Sequence, residues 1–123
     1  MQRHRSGSSG RHGDRWVIEL TGEHDLSTAP LLTEWMAEID ASAPMIEVDL
    51  RQAEFIDSTV MGTLVRLGAD LAADGRELVI VAPTGTPARR VLDLAGMSAV
   101  LRVLETSPSG EVETGLQQAS SCP

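Results

Sequence analysis

Asp57, Ser58 and Thr59 set a carboxylate and two hydroxyls side by side in the stretch F55-I56-D57-S58-T59-V60-M61-G62-T63-L64, where a short apolar run gives way to a helical pattern. An acid beside a hydroxyl suits two kinds of chemistry. It supplies two members of a hydrolytic triad by type, or it offers a hydroxyl for phosphoryl modification next to a fixed negative charge. Either side chain also serves as an ordinary helix cap, because its oxygen accepts from the unpaired amides of the first turn.

The residues around this stretch narrow the choice. Hydrolysis needs a histidine, and of His4, His12 and His24 two lie in a polar N-terminal stretch, while no Gly-x-Ser-x-Gly elbow is present. A hard-cation site could draw on Glu23, Asp25, Asp49 and Asp57, with His24, but their spacing matches no ligand pattern and a solvated acidic rim is the ordinary reading. All ten basic residues are Arg, so phosphate-loop and Schiff-base lysines are excluded. Cys122 is the single cysteine, which leaves neither an internal disulfide nor a cysteine-based zinc site. In P83-T84-G85-T86-P87-A88-R89-R90 one glycine and no lysine read as a helix cap followed by proline rather than as a phosphate cradle.

Charge and composition exclude further classes. The first fifteen residues hold Arg3, Arg5, Arg11 and Arg15 against Asp14, so the net charge of −8 for the chain leaves −11 on the remainder. A surface of that sign repels phosphate backbones and favours a basic protein partner. With 2% aromatic residues and no Tyr, no stacking platform for bases is visible. The basic start lacks the apolar run of a secretory signal, and no later segment has the length of a membrane span, so a soluble cytoplasmic protein is expected.

These residues must be positioned by alternating strands and helices. Residues 1–14, made mostly of Ser, Gly, Arg and His, are expected to form a disordered basic arm. W16-V17-I18-E19-L20 reads as a strand, followed by the loop T21-G22-E23-H24-D25. Leu31, Leu32, Trp35, Met36 and Ile39 recur at helical spacing to about Ala41, with Ser27 or Thr28 as cap. M45-I46-E47-V48-D49-L50 alternates apolar and acidic residues, and F55-I56 resumes the apolar signal.

Beyond Ser58, the positions Val60, Leu64, Leu67 and Leu71 share one helical face, with Gly75 as left-handed C-terminal cap. E77-L78-V79-I80-V81-A82 suits a buried central strand, and Thr86-Pro87 opens a helix that stops at Gly96. V100-L101-R102-V103-L104 is the last strand, and a weak helix is expected within residues 111–119. The order indicates a single α/β domain over residues 15–106, with a mostly parallel or mixed four- to five-stranded sheet and helices packed against it, and a C-terminal segment over 107–123 ending in a disordered tail.

From about Val17 to Glu105 the chain resembles the STAS domains of bacterial anti-sigma factor antagonists. The likeness is carried by T21-G22-E23-H24-D25-L26, V48-D49-L50-R51 with F55-I56-D57-S58-T59, D74-G75-R76-E77-L78, and R89-R90-V91-L92-D93-L94-A95-G96-M97. It implies that Ser58 is phosphorylated by an anti-sigma factor that is also an ATP-dependent serine kinase. It further implies that the modified protein releases this partner, that a serine phosphatase restores it, and that sigma-factor-dependent transcription follows the cycle.

On this resemblance Glu23, Asp25, Asp57 and Thr59 would belong to the contact surface, the domain would have no catalysis of its own, and no cofactor is implied. A phosphoryl group on Ser58 would add about −1.5 to −2 charge at the positive end of a helix, where the fold can tolerate it, yet beside Asp57. The chain departs from the family in having Val60 where glycine is common, and in lacking a strand pattern within residues 1–14. The alternative within binding proteins is a STAS subunit attached to a membrane transporter or larger signalling assembly. A small serine hydrolase is the alternative from another class.

Overall fold

The computed structural model describes residues 5–24 and 29–108. Its elements run β1 (Arg5–His12), β2 (Arg15–His24), α1 (Ala29–Ala37), β3 (Met45–Ile56), α2 (Ser58–Ala73), β4 (Glu77–Val81), α3 (Pro87–Leu94), a 3₁₀ turn (Met97–Ala99) and β5 (Arg102–Leu104). The helix expected within 111–119 and the proposed caps Ser27 and Thr28 lie outside the described residues.

All five strands form one sheet in chain order, β1-β2-β3-β4-β5. β1 and β2 are antiparallel and the three remaining pairs are parallel. Parallel neighbours need crossovers, which α1, α2 and α3 supply. Because strand order rises steadily and each crossover keeps the right-handed sense, all three helices belong on the same face of the sheet. The buried cluster agrees: Ile18, Leu20, Ile46, Val48, Leu50, Leu78 and Ile80 of the strands pack with Leu32, Leu64, Leu71, Ala88 and Leu92 of the helices.

Alternate residues of β3 point the other way, and there Glu47 and Asp49 are buried. Each has an arginine. Arg15 Nε donates to Glu47 Oε1 at 2.7 Å, and the Arg51 amide and guanidinium both donate to Asp49. The chain leaving β5 turns onto this face, where Ser107 Oγ donates to Glu47 Oε1 at 2.8 Å. The acidic half of the β3 alternation is thus a paired, covered layer rather than a solvated rim.

The expectation of a disordered arm over residues 1–14 is corrected by β1, which pairs with β2 from Arg5↔Gly22 to His12↔Arg15. An edge strand is held by backbone hydrogen bonds, which polar residues make as well as apolar ones, so the missing apolar periodicity was no bar. Gly13, at φ 66°, makes the turn between the two strands. Trp16 Nε1 donates to Ser9 Oγ, and Arg11 pairs with Asp40, so side chains also tie β1 down.

Three further boundaries are corrected: β2 runs to His24 through the stretch expected as a loop, α1 ends at Ala37 rather than about Ala41, and β5 begins at Arg102 rather than Val100. Val60, Leu64, Leu67 and Leu71 are the buried face of α2. Gly75 takes φ 75° just past the helix end, where its amide reaches Ala72 O and that of Arg76 reaches Leu71 O. Thr86 Oγ1 accepts the Arg89 amide and Pro87 begins α3. β3 is longer than expected, because the polar interruption at Arg51–Glu54 is part of the strand.

Candidate functional site

β3 ends at Ile56 and α2 begins at Ser58, so a single residue makes the connection. That residue, Asp57, is the N-cap. Its backbone is extended and its Oδ1 accepts the Val60 amide at 3.0 Å. Ser58 therefore sits at the first helical position with an exposed side chain, and it makes no side-chain hydrogen bond among the described residues. Thr59 is half-buried, and its carbonyl accepts the hydroxyl of buried Thr63.

Val60 is fully buried, so its side chain takes up core volume in the first turn of α2. The departure from glycine at this position is a packing choice. It leaves the hydroxyl beside it on the surface.

The pairing of β2 with β3 brings a second segment to the same edge. Two irregularities each place one extra residue in β3, between Asp49 and Gln52 and between Ala53 and Phe55. After them Glu23 stands opposite Phe55 and His24 opposite Ile56. Exposed Glu23 and the turn Asp57–Thr59 thus share the C-terminal edge of the parallel strands, the end at which open α/β sheets bind ligands. Asp25 lies outside the described residues.

Phe55, the one phenylalanine, is 45% exposed at this edge, while Ile56 is buried. Sequence reasoning treated the pair as uniform apolar strand. The irregular spacing of the buried positions Ile46, Val48, Leu50, Ala53 and Ile56 is what turns Phe55 outward, and its only sequence signal is the polar interruption before it.

Asp49 lies on the helix-free face with Arg51, Asp57 caps α2, and no group of three or more His, Cys, Asp or Glu among the described residues could hold an ion. A groove of about 210 Å³ between α2, β4 and β5, lined by Gly68, Ala72 and Leu101, lies toward the C-terminal end of α2, away from Ser58. Among the described residues no helix is long and apolar enough to cross a membrane.

The family described as Mlab, STAS domain matches residues 8–105. The chain belongs to this STAS family. The match begins within β1, in accord with the edge strand. No curated protein matches the sequence.

Among solved structures, this STAS domain is similar to an anti-sigma factor antagonist from Mycobacterium paratuberculosis, with 24% identity over 86% of this chain and 90% of that one, at a TM-score of 0.70. The unphosphorylated anti-sigma factor antagonist SpoIIAA is 16% identical over 85% and 90% of the two chains, at 0.64. A sulfate transporter family protein from Wolinella succinogenes is 17% identical over 76% and 78%, at 0.60. These likenesses establish the fold.

Proposed function

We propose that this STAS domain is an anti-sigma factor antagonist that binds an anti-sigma factor of the serine-kinase type and is released when Ser58 is phosphorylated. The observation that carries the reading is the division of labour at the start of α2: Asp57 caps the helix, and Ser58 is exposed beside it. In the reaction the γ-phosphoryl group of ATP passes to Ser58 Oγ, the bond to ADP breaks, and the hydroxyl proton goes to a base of the kinase. The domain is the substrate and ligand in this cycle, acts in the cytoplasm and performs no catalysis itself.

The unmodified contact surface consists of Glu23, Asp25, Asp57 and Thr59, of which Asp25 lies outside the described residues, and Phe55 supplies its apolar centre. An exposed aromatic side chain with Glu23 opposite it in the register suits a partner with a basic rim around an apolar pocket. Support from outside the chain comes from SpoIIAA, whose structures in unphosphorylated and phosphorylated forms both share this fold, at TM-scores of 0.64 and 0.57. Incubation with the cognate kinase and ATP, followed by peptide mapping, tests the reading. One phosphoryl group on Ser58 is expected, and modification confined to Thr59 or to neither residue would overturn it.

A second reading, a STAS subunit of a transporter, is favoured by the likeness to the sulfate transporter family protein. Affinity capture with and without ATP, with the retained protein identified by mass spectrometry, separates the two. A kinase-type ATPase supports the first and a transporter ATPase the second.

A further inference from the structure

Arg66 is on α2 eight residues after Ser58, with Gly62 midway between them. Helical side chains lean toward the N-terminus and lie over the residues three and four positions earlier. Arg66 follows this rule closely. Its Nη1 stands 3.9 Å from the point that a Cβ on Gly62 would occupy, and Nη2 donates to Thr63 Oγ1 at 3.4 Å, a long contact.

The guanidinium is therefore already level with residues 62–63 and aimed at the start of the helix. Because Gly62 has no side chain, the helix surface between Arg66 and Ser58 is open. A rise of 1.5 Å per residue leaves about 6 Å, four residues of helix, from that level to Ser58.

Among the described arginine side chains most have fixed partners, Arg90 of α3 being the other exception. Arg11, Arg15, Arg51, Arg89 and Arg102 each face a carboxylate, and Arg76 donates to the carbonyls of Ala43 and Asp40. Arg66 is exposed and makes no ion pair among the described residues. Asp70, four residues further along α2, is within helical reach, yet Arg66 turns away from it. An acidic chain thus keeps a cation unpaired on the helix that starts at the proposed phosphoacceptor.

We propose that Arg66 is the intramolecular partner of the phosphoryl group on Ser58. The inference rests on the reading of Ser58 given above and adds what the modified state looks like. On phosphorylation the guanidinium exchanges its long contact with Thr63 for a forked, charge-assisted pair with the phosphoryl oxygens across Gly62. Modification then does more than add charge at the N-terminus of α2. It draws an exposed cation over Gly62 and reshapes the face of the helix that adjoins the contact surface.

The test uses the full chain with phosphoserine installed genetically at position 58, so it needs no kinase. Phosphorus NMR follows the second ionisation of the phosphate in the wild type, Arg66→Gln, Arg66→Lys and Arg90→Gln. Arg90 is an exposed arginine of α3 without an ion pair among the described residues, and its replacement makes the same change in net charge. Pairing favours the dianion, so the wild-type midpoint should lie about 0.5 pH unit or more below that of Arg66→Gln.

Arg90→Gln should leave the wild-type value in place, and Arg66→Lys should recover part of the shift. Equal midpoints for the wild type and Arg66→Gln, or equal displacement by Arg66→Gln and Arg90→Gln, would overturn the proposal. Peptide mapping after the kinase reaction tests the modification of Ser58 separately, so either idea can fail without the other.

Discussion

Asp57 Oδ1 accepts the amide of Val60 at 3.0 Å, so the carboxylate and not the neighbouring Ser58 hydroxyl caps α2. The acid satisfies the first turn of α2, so the hydroxyl beside it carries no helix-capping duty. Asp57→Ala should cost about 1 kcal/mol of stability, whereas Asp57→Ser should retain most of it. Ser58→Ala should change stability by less than about 0.5 kcal/mol, as expected of an exposed side chain outside the cap. Urea denaturation of the three variants checks the division, and a larger loss for Ser58→Ala than for Asp57→Ala would reverse the roles.

Partner binding should follow charge at position 58. Against the kinase, Ser58→Ala should bind much as the wild type does. Ser58→Asp sets a second carboxylate beside Asp57 and should weaken binding by about 2 kcal/mol. Titration calorimetry, with circular dichroism to verify folding, reads the difference, and equal affinities for all three folded proteins would rule out the phosphoswitch.

Leu64 is 1% exposed on the face of α2 that meets the sheet. Leu64→Ala should cost about 2–5 kcal/mol through lost burial and the cavity left behind. Leu67, slightly more exposed on the same face, should cost less. Chemical denaturation measures both, and near-zero values would mean that this face does not carry the core.

Removal of residues 1–13 takes away β1 with its ladder to β2, the Ser9–Trp16 hydrogen bond and the Arg11–Asp40 pair. Net contributions of about 1 kcal/mol per well-formed hydrogen bond, partly offset by the entropy of ordering, give an expected loss of about 2 kcal/mol. Calorimetry should show a lower thermal midpoint. An unchanged midpoint would mean that β1 adds nothing to stability.

The Thr84 amide and hydroxyl, and then Arg89, hold the Glu105 carboxyl below its ordinary value of 4.5. A carboxyl lowered on folding stabilises the native state above its unfolded value, and that contribution is lost as pH falls through the folded one. Stability should therefore decline below about pH 4.5, and Glu105→Gln should flatten that part of the curve. Denaturation midpoints collected from pH 6 down to pH 3 check the sign, and a steeper decline in the variant would contradict it.

Periodicity alone was enough to place α2, β4 and α3, because burial repeats every two or every three to four residues and the caps Thr86-Pro87 and Gly75 use local chemistry. Ser58 too was legible, as a hydroxyl between strand and helix. β1 was not, since an edge strand of Ser, Gly and Arg is recruited by the backbone of β2 and leaves no hydrophobic signature. Nor could sequence decide that Glu47 and Asp49 would be covered and paired. Asp49 pairs with Arg51 close by, but the partners of Glu47, Arg15 and Ser107, stand 32 and 60 residues away, and only the parallel sheet and the return of the chain after β5 bring them to it. The outward turn of Phe55 is a tertiary fact of the same kind. It depends on a shifted strand register, which is not written in the spacing of residue types.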